Sequence, residues 1–265
     1  MLRDITLGQY YQADSLIHKL DPRVKLITTM SFLISLFLVQ SVTDYVVPFF
    51  FLITMMCISK VPFSFMLKGM RAILFLLIIT VLFNLFLTPG EPIFSIWILT
   101  ITREGIVFAF KMAIRLTFLI IGSSIMTLTT TPNQLTDGLE NLLNPLKRIK
   151  VPVHEIAMMM SIALRFIPIL LEETDKIMKA QIARGADFES KNIIKRAKSY
   201  VPILVPLFIS AFRRANDLAL AMEARCYRGG EYRTKMKPLH YARRDYLAYA
   251  VTVTYIITMV MLYIR

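Results

Sequence analysis

The sequence predicts an all-α, polytopic membrane protein with about five transmembrane helices and three amphipathic cytoplasmic helices, the two long ones crossing. Three observations carry this. Apolar runs of 15 to 24 residues recur along the 265-residue chain, and roughly 20 residues of helix cross a bilayer. Hydrophobic residues make up 56% of the chain and charged residues 18%, whereas a soluble domain is about half apolar and a quarter charged. Lys and Arg, 31 against 18 Asp and Glu, concentrate in alternate segments. The net charge of +13 alone would suit a nucleic-acid binder, but a soluble one would not carry such runs.

The spans are read in order. The first is 24–40, VKLITTMSFLISLFLVQ, and the second is 45–59, interrupted by Pro48. The third is 71–88, the fourth 105–128 and the fifth 246–264. The second is short, so it must thin the bilayer, extend its ends or lean on neighbours. The stretch 92–101, PIFSIWILTI, is too short to span. It reads as interfacial or re-entrant, with Trp97 at headgroup level. The first 20 residues are polar-mixed, so no cleavable signal peptide is expected.

Lys and Arg counts set the orientation. Residues 1–25 hold four, the 41–44 turn none, the 60–71 loop three, the 89–104 loop one and residues 129–245 twenty. The positive-inside rule puts the N-terminus, the 60–71 loop and 129–245 in the cytoplasm, and the C-terminus outside. The chain thus divides into spans one to four (1–128), a cytoplasmic coupling domain (129–245) and span five (246–265).

The 129–245 region holds 20 basic and 12 acidic residues, yet it is patterned as amphipathic helices over about 131–147, 154–185 and 191–227. The first opens Thr131-Pro132-Asn133-Gln134, a capping-box signature with Pro at the first helical position. Leu135, Leu139 and Leu142 follow at helical spacing, and Asn144-Pro145 ends or kinks the helix. The second carries Met160, Leu164 and Ile167 on one face. The third repeats Ala211, Ala215 and Ala219 every fourth residue, a small-residue ridge that lets another helix approach closely. The apolar faces of the long helices either pack on each other or hold another membrane protein at the bilayer boundary.

Both long helices end alike. One closes Ala180-Gln181-Ile182-Ala183-Arg184-Gly185 and the other Ala221-Met222-Glu223-Ala224-Arg225-Cys226, an A-x-x-A-R pattern repeated 41 residues apart. A single Arg at a helix end could merely complement the helix dipole. Two copies, each flanked by small residues, suit guanidinium groups entering carboxylate-lined pockets.

On Thr131-Pro132, Arg165-Phe166-Ile167-Pro168, the Ala183-Arg184-Gly185 end and the second Ala224-Arg225 pair, the chain resembles the transmembrane T component of energy-coupling factor (ECF) transporters. The resemblance is specific over roughly 129–230. The departure is Cys226, where the pattern has Gly, which would be less comfortable at a positive φ.

The resemblance implies a scaffold in the plasma membrane of a prokaryote. Such a component links two cytoplasmic ATPases to a small substrate-binding membrane subunit, the S component, for uptake of vitamins or metal ions. It implies that Ala183, Arg184, Gly185, Ala224, Arg225 and Cys226 dock the ATPases, which hold ATP and Mg, and that this chain itself binds no cofactor, metal or nucleic acid. Ala211, Ala215 and Ala219 fall at the crossing of the coupling helices. Leu135, Leu139, Leu142, Met160 and Leu164 are candidate contacts to the S component. So are Lys111 and Arg115, which share a face of the fourth span. These two cations could instead meet Asn84 or snorkel to the interface. The S component, and not this chain, would select the substrate.

Other function classes fare less well. There is no G-x-x-x-x-G-K-[ST] phosphate loop and no G-x-S-x-G nucleophile elbow. His154-Glu155 has Met158 where a zinc-protease motif needs its second His. Two cysteines, Cys57 and Cys226, and three scattered His imply neither a disulfide framework nor a metal site. A conventional ABC permease would usually dock each ATPase through one short loop. A secondary carrier would show repeated halves and ionisable residues at the midplane.

Overall fold

The computed structural model describes residues 10–96, 99–186, 188, 192–229, 236 and 238–264. The described residues are overwhelmingly helical and fall into two compact units, one from within 8–138 and 239–265, the other from within 139–238.

The first unit is the membrane bundle. Helix α1 (Pro22–Ser35) starts where Asp21 caps it, its carboxylate accepting from the Arg23 backbone N–H, with Pro22 at the first helical position. Helix α2 (Val46–Ser59) follows a short 3-10 turn. Pro48 does not interrupt it. It sits in the first turn, where a backbone N–H has no intrahelical acceptor to lose. Lys60, at φ 57°, ends α2 in the left-handed region. Helix α3 (Phe63–Leu87) begins eight residues before the expected third span, so most of the anticipated 60–71 loop is helical.

Strands β1 (Pro92–Ile96) and β2 (Leu99–Thr102) form an antiparallel hairpin pairing Ser95 with Thr100 and Ile96 with Leu99. The segment expected to be interfacial or re-entrant is thus a small hairpin, a form that its sequence was not read to take; Trp97 lies outside the described residues. Thr102 closes the connection. Its hydroxyl donates to Thr88 O at 2.9 Å and accepts from Gly105 N–H at 3.0 Å, capping helix α4 (Arg103–Thr129).

Helix α5 (Pro132–Leu143) comes next, and helix α8 (Arg243–Ile264) closes the bundle. Three paired contacts run in step along α1 and α8: Asp21 N–H to Asp245 (2.9 Å), Thr28 with Thr252 (3.0 Å) and Ser35 with Tyr255 (2.7 Å). The two helices are therefore parallel and joined by polar groups. Such groups lack water partners in a bilayer, so pairing across a helix interface satisfies them. The core between the helices is aromatic and aliphatic, with Phe51 stacked on Tyr255 at 4.3 Å between ring centres. Gly122 admits Phe32: a Cβ there would lie 2.6 Å from the ring.

The second unit contains a 3-10 turn over Asn144–Ile149 and two long helices, α6 (Val153–Ala183) and α7 (Ile193–Ala224). The α5 helix gives way to 3-10 geometry at Asn144-Pro145, where the sequence places its break. Among the described residues, α4, α6 and α8 are long and apolar enough to cross a membrane, with shorter apolar helices over Thr43–Ser59 and Ile73–Leu87. Length and composition alone thus admit α6 as well as the spans expected from sequence. Its middle carries an exposed Arg165, however, and Glu172, Glu173 and Asp175 follow within ten residues.

Candidate docking surface

The two Ala-x-x-Ala-Arg ends fold identically. At the end of α6, Gly185 N–H donates to Ile182 O (2.9 Å) and Ala186 N–H to Gln181 O (3.0 Å). At the end of α7, Cys226 N–H donates to Glu223 O (2.8 Å) and Tyr227 N–H to Met222 O (3.0 Å). Each is a Schellman cap in which the residue after the Arg turns left-handed. Gly185 has φ 86° and Cys226 φ 56°. The position where the sequence carries Cys for Gly is one that demands positive φ.

The caps change the meaning of the two arginines. Arg184 and Arg225 are the C-cap residues of their helices, and the carbonyls nearest them already accept from backbone N–H groups. Neither guanidinium has an ion pair with a described residue, and Ala183, Arg184, Gly185, Ala224, Arg225 and Cys226 are all exposed. A Cβ built on Gly185 would touch nothing within 4 Å, so the tip is open on that side. Each tip presents a cation with no ion-pair partner among the described residues, on a capped helix end.

Helices α6 and α7 run antiparallel. Gln181 reaches Pro202 O at 3.5 Å, and Arg214 meets Glu173 at 3.2 Å. Arg225 lines a groove together with Arg165. At 1.5 Å per residue, the two tips are about 28 Å apart along α6, measured from the level of Arg165 to Arg184. Ala211, Ala215 and Ala219 line the α6–α7 seam opposite Ile162, Phe166 and Leu170. The seam is not closed there. It holds about 260 Å³ of open space, and Ala215 and Ala219 remain exposed. A larger side chain at Ala215 therefore meets space within this chain, not the overpacking that a tight crossing would impose.

The capping box forms as the residues predict: Thr131 Oγ1 accepts from Gln134 N–H at 3.3 Å, and Gln134 Oε1 accepts from Thr131 N–H at 3.1 Å. Leu135, Leu139, Leu142 and Leu164 are half-buried and Met160 is exposed. His154 Nδ1 donates to Glu140 at 2.9 Å, a helix-to-helix tie and not part of a metal site. No group of three His, Cys, Asp or Glu side chains able to hold a metal occurs among the described residues.

Lys111 and Arg115 have partners that sequence reasoning did not foresee. Lys111 Nζ donates to Gln40 O at 2.5 Å and Arg115 to Val39 O at 3.2 Å, with the Arg115 guanidinium over the Phe37 ring. They serve the carbonyls just beyond α1, where cations favour the helix dipole. Asn84, the expected alternative partner, donates within its own helix to Thr80 O.

Sequence reasoning also missed Lys25, 5% exposed, whose Nζ donates to Thr129 O (2.8 Å) and His18 O (3.2 Å). A second missed cluster surrounds Asp245. Its carboxylate accepts from Asp21 N–H and from Ala242 N–H (2.7 Å), while Arg23 grips Asp21 through two hydrogen bonds and lies over Tyr241. A lone Lys one residue inside an apolar run, and an Asp just ahead of one, were the available signals.

The chain is similar to known membrane transport proteins. Residues 13–236 match the family of the cobalt transport protein CbiQ. The chain is 56% identical over 250 residues to the energy-coupling factor transporter transmembrane protein EcfT of Clostridium kluyveri, covering 94% of this chain and 93% of that one. The protein of the same description from Ruminiclostridium cellulolyticum is 57% identical over 255 residues, 96% of each chain. The one from Bacillus subtilis is 48% identical over 246 residues, 92% of this chain and 93% of that one.

Proposed function

The chain belongs to the CbiQ family, as a transmembrane component of the energy-coupling factor type, and on that premise we propose that it joins two cytoplasmic ATPases to a substrate-binding membrane subunit. The ATPases bind ATP and Mg and hydrolyse the nucleotide; this chain binds neither. It transmits their motion through α6 and α7 to drive uptake of a vitamin or metal ion that the partner subunit selects.

The observation that carries this reading is the pair of identical capped tips. Their backbones are self-satisfied, so Arg184 and Arg225 keep five N–H donors each for a carboxylate cluster on another protein. Small neighbours, Ala183 with Gly185 and Ala224 with Cys226, leave room for insertion. Helix α6 belongs to the cytoplasmic coupling pair despite its apolarity, because Arg165, Glu172, Glu173 and Asp175 would otherwise lie as charged side chains at membrane depth. The half-buried leucines of α5 and the exposed Met160 suit contact with the membrane subunit.

The test is a pull-down of co-expressed ATPases combined with uptake in reconstituted vesicles. Truncating one partner of a buried charge pair costs about 2–5 kcal/mol. Arg184→Ala or Arg225→Ala alone should impair uptake and leave partial assembly, because the remaining tip keeps the ATPase pair at high effective concentration. The double variant should release both ATPases and leave the membrane bundle folded. Retention of the ATPases with normal uptake would end the docking reading.

A further inference from the structure

The two tips match in backbone and differ in charge. Three residues beyond Arg184 the sequence has Asp187, with Glu189 following; three residues beyond Arg225 it has Arg228. The α7 tip also borders a groove of about 550 Å³ between its own last turns and the N-terminal half of α6. Arg225 and Arg228 enter the lining from one side and Arg165 from the other, with Ile162, Phe166 and Leu218 supplying apolar surface. All three arginines are exposed, and none has an ion pair with a described residue. No Asp or Glu is among the described residues lining the groove, and Glu223, two residues before Arg225, is not one of its walls.

Three like charges around one groove make its potential positive and favour an anionic partner there. Among the described residues no carboxylate pairs with these arginines, and the α7 cap satisfies the nearest carbonyls. The apolar surface says what kind of anion fits. Carboxylates carried on protein side chains bring methylene groups that can lie against Phe166 and Ile162, whereas a bare inorganic anion would leave that surface wet.

We propose that Arg165, Arg225 and Arg228 form one composite docking groove for an acidic ATPase segment bearing at least two carboxylates, so that the α7 tip holds its ATPase mainly by charge while the α6 tip presents a single arginine. This rests on the docking reading above and adds two residues, one of them on the other helix. It also makes the two attachments unequal in their response to salt, because screening weakens a multi-charge contact more than a single one.

The experiment uses the full complex, the chain co-purified with its ATPases and washed through a salt series. Arg165→Gln, Arg228→Gln and their combination are compared with wild type and with the Arg184→Ala/Arg225→Ala double variant. The combined Gln variant should release the ATPases at half the wild-type salt concentration or less, with a shallower dependence on salt, and Arg165→Lys should retain most of that dependence. All three side chains are exposed, so these variants fold. If the combined Gln variant dissociates at wild-type salt while the double Ala variant loses its ATPases, the composite groove is overturned and the docking reading stands. If the double Ala variant also keeps its ATPases, both fall. If the combined Gln variant instead loses binding to phosphatidylglycerol vesicles with ATPase retention unchanged, the groove serves lipid headgroups and the proposal is overturned.

Discussion

Lys25 Nζ donates to the carbonyl oxygen of Thr129 at 2.8 Å, so a cation near the start of α1 closes the end of α4. The reverse holds at the other end of the same pair, where Lys111 and Arg115 of α4 serve the carbonyls of Gln40 and Val39 just past α1. Antiparallel helices thus cap each other with lysine and arginine, which satisfies carbonyls that a bilayer would leave without water.

Lys25→Met keeps the length of the side chain and removes its donors. Thr129 O and His18 O then lose a buried partner, at about 1–3 kcal/mol each. Thermal unfolding in detergent should show a clear fall in Tm. Uptake should fall with protein level and not ahead of it, because no docking residue is touched. An unchanged Tm would mean that water replaces the ammonium.

The spans, the capping box and the repeated arginine ends were legible because each is local: an apolar run, a Thr-Pro-x-Gln tetrad, a five-residue pattern. Pro48 misled because a proline in the first turn of a helix costs nothing, although the bounds read from the apolar run, 45–59, fall within a residue of α2. The roles of Lys25, Lys111, Arg115 and Asp245 were not legible at all. Each depends on a partner 71 to 224 residues away, and a cation in an apolar helix gives no sign of which carbonyl it will meet. The β1–β2 hairpin was missed because a ten-residue apolar run fits an interfacial segment equally well.

Acid should loosen the end of the bundle around His18 and Asp21 in two stages. Burial lowers the His18 pKa from 6.5, so the unfolded chain takes up this proton first. Its stabilising contribution is full above pH 6.5 and is lost as pH falls through the folded value below it. Burial alone would raise the Asp21 carboxyl, but hydrogen bonds from the Arg23 side chain and backbone, with the Arg23 charge, outweigh it and hold the group below 3.8. That contribution is full above pH 3.8 and is lost on further acidification. Tm measured from pH 7.5 to 3 should decline accordingly. His18→Gln should flatten the first part of the decline, and Asp21→Asn should lower Tm at neutral pH and flatten the last part. A flat profile in the parent protein would refute this account.

The two caps predict opposite responses to exchange of Gly and a side-chain residue. Gly185→Ala places a Cβ at φ 86° in open space, so only backbone strain counts, about 1 kcal/mol. Cys226→Gly relieves the same strain at φ 56°. Hydrogen exchange at the cap amides reads this directly. Protection of Ala186 N–H should drop in Gly185→Ala, and protection of Tyr227 N–H should hold or rise in Cys226→Gly. Equal protection in all three proteins would show that the caps fray regardless of residue.

Sidedness can be tested on a cysteine-free background. Cys57 and Cys226 are both exposed, so Cys57→Ser and Cys226→Gly come first; the second change suits its backbone. The three contacts that join α1 and α8 in parallel bring Asp21 and Asp245 to one end of the bundle, and Lys25 brings Thr129 there too. The chain therefore leaves the bundle after α4 and returns before α8 at the same end, with Thr43 beyond the opposite end of α1. By the positive-inside rule, the twenty Lys and Arg of 129–245 predict that the shared end faces the cytoplasm. In intact cells, an impermeant maleimide should label Thr43→Cys and should reach Asn192→Cys only after the membrane is opened. Labelling in the reverse order would put α6 and α7 on the outer side, where no ATP-driven subunit could meet Arg184 or Arg225.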